Sequence, residues 1–66
     1  MRAYQLLAVL DEDAPICIEY GYDHTEYDKL SELLQDTEAY NAVKMKKVRN
    51  VWYSKNYYGC LVVKIE

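Results

Sequence analysis

With 66 residues and two cysteines, the chain must make its fold without a disulfide framework. So short a chain buries only ~60% of the surface its unfolded form exposes, and its core rarely supplies more than ~3–5 kcal/mol. One domain, residues 1–66, is the expectation; a second domain and a large active-site cleft are excluded. Hydrophobic residues make up 52% and charged residues 29%, a globular balance that argues against disorder. A chain with so small a core gains stability by oligomerising or by binding a larger partner.

The apolar run Leu6-Leu7-Ala8-Val9-Leu10 is five residues long and ends in Asp-Glu-Asp. It lacks the cleavage site of a signal peptide and the ~20 residues of a membrane span. The expected setting is therefore a reducing cytoplasm with free thiols and no membrane partner.

Periodicity assigns the elements. Residues 2–10 are apolar on both parities, as in a strand covered on both faces. Asp11 to Pro15 is a loop. Residues 16–22 alternate, with Ile16, Ile18, Tyr20 and Tyr22 on one face and Cys17, Glu19 and Gly21 on the other, so a hairpin with residues 2–10 is predicted. Asp23 and Glu26 have capping-box spacing, with Thr25 a rival N-cap. Tyr27, Leu30, Leu33 and Leu34 then form one helical stripe, with Asp28, Glu32 and Asp36 opposite it. Residues 37–43 suit either a short helical turn or a loop. Val48, Val51, Trp52 and Tyr53 are strand formers, and Cys60 to Ile65 alternates most clearly. The expected fold class is α+β, in the order β-β-α-β-β. It is a four-stranded antiparallel sheet with one helix packed on one face, because the leucine stripe needs an apolar layer to cover.

The net charge of −3 conceals two unlike halves. Residues 1–40 carry ten acids against Arg2 and Lys29, or −8; residues 41–66 carry six cations against Glu66, or +5. Either the halves neutralise each other within the fold or they present interaction surfaces. Eight tyrosines and one tryptophan, with no phenylalanine, are more than one small core can hide. At least one exposed aromatic patch is expected, and tyrosine makes contact area at low entropy cost.

Three binding readings follow. In the leading one, Asp11, Glu12 and Asp13 in the first loop act with Asp28, Glu32 and Asp36 on the helix. Together they face a larger protein with a basic surface, with Tyr22 and Tyr27 as anchors. Regular carboxylates of this kind can also imitate DNA phosphates before a nucleic-acid-binding cleft. The chain is then a non-enzymatic inhibitor or regulator. In the second, Lys44, Lys46, Lys47, Arg49, Trp52, Tyr57 and Tyr58 bind single-stranded nucleic acid by charge and stacking. In the third, the chain is an assembly subunit pairing through a strand edge.

Catalytic and metal signals are weak. His24, Asp23, Cys17 and Cys60 have no ligand spacing, and no phosphate loop or nucleophile motif is present, so neither an enzyme nor a cofactor is expected. In size and acidity the chain is similar to small phage-encoded inhibitors of host or defence complexes, anti-CRISPR proteins among them. That likeness is one of composition and carries no motif.

Overall fold

The computed structural model describes residues 1–57 and 59–66, with residue 57 by its backbone alone. In chain order the elements are α1 (Ala3–Leu7), β1 (Ile16–Tyr20), β2 (Asp23–Tyr27), α2 (Leu30–Gln35), α3 (Thr37–Val43), β3 (Val48–Ser54), a 3₁₀ turn (Lys55–Tyr57) and β4 (Cys60–Ile65). The strands form one sheet in the order β2-β1-β4-β3. β1 runs antiparallel to β2 and parallel to β4, and β3 runs antiparallel to β4.

The α+β class and the four strands follow from the alternating segments, but three expectations are corrected. Residues 2–10 are not a strand. Ala3, Leu6, Leu7 and Leu10 recur at i, i+3, i+4 and i+7, the helical spacing, and Ala3 and Leu7 are buried in the core. Residues 23–27 are not a helix start, so neither the Asp23–Glu26 box nor a Thr25 cap exists. Gly21, at φ 63°, makes a two-residue turn after β1, and the chain returns with Tyr20 opposite Asp23 and Ile16 opposite Tyr27. The sheet is mixed and carries three short helices, where a purely antiparallel sheet and one helix were expected. The β1–β2 hairpin fills one side of β1. The other side takes β4, whose direction is set by its hairpin with β3 after α2 and α3 have carried the chain back.

The core lies between the helices and one sheet face. Ile16, Ile18, Val63 and Ile65 pack with Ala3, Leu7, Leu30 and Leu33, all buried. On the other face Cys17, Cys60 and Val62 form a smaller buried cluster against a half-buried Trp52. The central strands β1 and β4 thus carry apolar residues on both faces, while the edge strand β2 is almost wholly exposed. Gly59, at φ 74°, opens β4 beneath the hydroxyl of Tyr53, where a Cβ has no room. No helix among the described residues is long and apolar enough to cross a membrane.

Candidate binding surfaces at the two ends of the sheet

Because β1 and β4 are parallel, their starts lie at one end of the sheet and their ends at the other. The first end gathers acids. Asp11 accepts a hydrogen bond from the Asp13 N–H through Oδ1 (2.9 Å), and its carbonyl accepts from the Ala14 N–H (3.1 Å), folding the loop onto itself. The loop then caps α2, whose N-cap Lys29 contributes no side-chain bond. The N–H groups of Leu30 and Ser31 donate to the carbonyls of Ala14 and Glu12, both at 2.9 Å. This docking brings Asp11, Glu12 and Asp13 beside Asp28 and Glu32, which flank the start of α2. All five are exposed, and none pairs with a cation among the described residues.

The docked loop leaves a cavity of about 200 Å³ lined by Leu10, Asp11, Ala14, Pro15, Ile16, Leu30 and Leu61. Among the described residues its walls are apolar and Asp11 is the one ionisable residue lining it. The periodic carboxylate stripe is broken, however. Asp36 ends α2 and starts α3, with Oδ1 accepting from the Ala39 N–H at 3.1 Å. Its carboxylate also adds to burial in raising the Tyr27 hydroxyl above its ordinary value. Tyr27 itself is half-buried against the core, so it is not a free anchor.

The opposite end is cationic and aromatic. The Lys46 ammonium sits 5.0 Å from the centroid of the Tyr20 ring and donates to the Tyr20 hydroxyl at 3.4 Å. Arg49 pairs with Glu66 at 3.2 Å, and Lys64 with Glu19 at 3.8 Å. Arg2 donates through Nη1 to the Met45 carbonyl at 3.0 Å. Tyr22 stands fully exposed at the tip of the β1–β2 turn. A groove of about 400 Å³ runs between Tyr20, Gly21, Tyr22, Arg49, Lys64, Ile65 and Glu66. A second hollow of about 310 Å³ lies between Tyr4, Tyr40, Lys44 and Met45. Lys47 is exposed nearby, where Arg2 bridges to it.

The expected nucleic-acid set is therefore divided. Lys44, Lys46, Lys47 and Arg49 share this end, but Trp52 packs on Cys17, Cys60 and Val62 on the sheet face away from the main core. Tyr58 and the side chain of Tyr57 lie outside the described residues. The two thiols are free and buried. Burial, helped by Cys60, Glu26 and Glu19, pushes the Cys17 thiol up to about 11; burial and then Glu26 raise Cys60 despite an opposing backbone hydrogen bond. Both thiols stay protonated at neutral pH and are poor nucleophiles. His24 stands 3.9 Å from Glu26 on the exposed strand β2. Among the described residues, no three His, Cys, Asp or Glu side chains are grouped to hold a metal ion.

Sequence reasoning missed the cavity and its lining residues Leu10, Ala14, Pro15, Leu30 and Leu61. The available signal was the apolar sequence on both sides of the acidic loop. It also missed Tyr20 as the partner of Lys46, a contact that joins residues 26 positions apart. Comparison with protein-family models, with curated proteins and with solved structures finds no match to this chain.

Proposed function

We propose that the chain is a small non-enzymatic binding module that engages a larger partner protein through its acidic end. The observation that carries this reading is the apolar cavity lined by Asp11 under a loop that also holds Glu12 and Asp13 and docks on the start of α2, where Asp28 and Glu32 lie. Binding energy concentrates where an apolar anchor enters a pocket, and surrounding charges steer encounter and reject wrong partners. The fitting ligand is one apolar side chain flanked by lysine or arginine on the partner surface. An inhibitory or regulatory role suits such a module, since occupying a basic surface denies it to the partner's own ligands.

The nucleic-acid reading has less support. Lys46 already covers the Tyr20 ring, and Trp52 stands apart from the cations. The test is a titration with short peptides carrying one Leu, Met or Phe between lysines, followed by NMR. Resonances of Leu10, Ala14 and Leu61 are expected to shift. Asp11→Asn with Asp13→Asn weakens binding, and Ala14→Leu, which fills the cavity, removes it. Equal binding of peptides with glutamate in place of lysine overturns the reading.

A further inference from the structure

The chain carries at one end of its sheet the kind of ligand that the other end accepts. We infer that a second copy of this chain docks head to tail, with Tyr22 of one copy entering the cavity lined by Leu10, Pro15, Leu30 and Leu61 of the next. The inference rests on the reading of that cavity as an anchor site.

Tyr22 is the most exposed of the large hydrophobic side chains in the described structure, and space beside it is open, with nothing near the position a Gly21 Cβ would take. Asp23 follows it in the turn and its groove holds Arg49, Lys64 and Glu66, while the end of the sheet as a whole carries more cations than acids. Arg49 and Lys64 have carboxylate partners, but Arg2, Lys44, Lys46 and Lys47 pair with none among the described residues. The receiving end presents five carboxylates without a cation partner among the described residues, and Asp11 lines the cavity, where its carboxylate can accept a further hydrogen bond from a tyrosine hydroxyl. The net charges of the two ends are thus complementary, with Lys46 beside Tyr20 the nearest cation free of a carboxylate partner among the described residues and Asp23 the one acid on the entering turn.

One molecule cannot satisfy this contact within itself. The two ends are separated by the length of β1, five residues or roughly 17 Å at ~3.3 Å per residue. A second copy can, and the pairing is heterologous: each docked copy leaves one cavity and one Tyr22 turn unused, so the contact can repeat. A molecule of 27 × 22 × 20 Å offers a small end face. The contact belongs with weak interfaces that bury less than ~1,200 Å². Association is accordingly expected to depend on both concentration and salt.

Sedimentation equilibrium of the full chain, from about 10 μM to about 1 mM, tests this. The mean mass is expected to rise with concentration at low salt and to fall back in about 0.5 M salt. Tyr22→Ala, on an exposed turn that leaves the core untouched, is expected to weaken association at least about tenfold. Two charge-reversed variants supply the decisive arm: Lys46→Glu with Lys47→Glu, and Asp11→Lys with Asp13→Lys. Each alone is expected to associate far less than wild type, since one side of every contact has lost its net charge, whereas in their mixture the intact acidic end of the first meets the intact cationic end of the second and the two pair. A wild-type chain that is monomeric at about 1 mM, or a Tyr22→Ala chain that associates like wild type, overturns the inference. The lysine-flanked peptide titration separates the two readings. If Tyr22→Ala and wild type bind the peptide equally while neither self-associates, the cavity reading stands and the head-to-tail inference falls. If the peptide fails to bind and Ala14→Leu leaves association intact, both fall.

Discussion

Cys17 shows how far a residue's chemistry depends on where its strand is placed. It pairs with Glu26 on one side and Val62 on the other, and it is fully buried. Burial is the largest cause of its raised pKa, from 9.0 to about 11, with the Cys60 thiol next and the Glu26 and Glu19 carboxylates after it. The unfolded chain gives up this proton near its ordinary value, while the folded chain holds it. The stability tied to Cys17 is thus complete below pH 9 and is lost as pH climbs towards about 11. Urea midpoints measured between pH 8 and pH 11 are expected to fall, and Cys17→Ala should flatten part of that fall. Tyr27 and Cys60, both raised mainly by burial, act in the same direction and account for the remainder. The alternation of residues 16–22 already placed Cys17 opposite Ile16 and Ile18. Its burial was not legible, because it depends on Val62 and Trp52 arriving from 45 and 35 positions away.

At the level of elements, Asp36 accounts for the difference between one expected helix and two observed ones. The stripe of Tyr27, Leu30, Leu33 and Leu34 fits a single helix from about residue 23, yet Tyr27 belongs to β2 and the helix begins at Leu30. Asp36 adopts an extended backbone (φ −85°, ψ 93°), closes α2 and caps α3. Asp36→Ala is expected to cost about 1 kcal/mol in urea unfolding, the usual worth of an N-cap, and Asp36→Asn much less. The same Ala variant removes the second cause of the raised Tyr27 pKa, so the Tyr27 titration should move back towards its ordinary value. A uniform loss from both Ala and Asn would show that the cap is not the cause. The acidic loop and the strands at 48–54 and 60–65 were legible from local pattern alone, whereas the caps read at Asp23 and Thr25 fall in β2. Residues 3–7 and 23–27 were not. A short apolar run suits helix or strand, and the Gly21 turn decides residues 23–27 through pairing with β1.

The whole molecule separates charge along its strands, and this fixes how salt acts on it. The described ion pairs between permanently charged groups are few and not deeply buried: Arg49 with Glu66 and Lys64 with Glu19. Such pairs contribute ~0–1 kcal/mol each. Attraction between the two ends acts over roughly 17 Å, beyond the ~10 Å screening length at 0.1 M salt, so mutual neutralisation of the halves adds little to stability. Repulsion is shorter in range. Asp11, Glu12 and Asp13 are neighbours in one loop that is docked beside Asp28, and added salt relieves their mutual repulsion. Folding stability is therefore expected to stay level or rise, by less than about 1 kcal/mol, between about 0.05 and 0.5 M salt. Head-to-tail association joins unlike ends at contact distance and is expected to weaken over the same range. Opposite signs in the two measurements, urea midpoint and sedimentation mass, distinguish charge that serves contact from charge that holds the fold. A loss of stability above about 1 kcal/mol on adding salt would mean that the ends attract within one molecule, and the acids would then be structural.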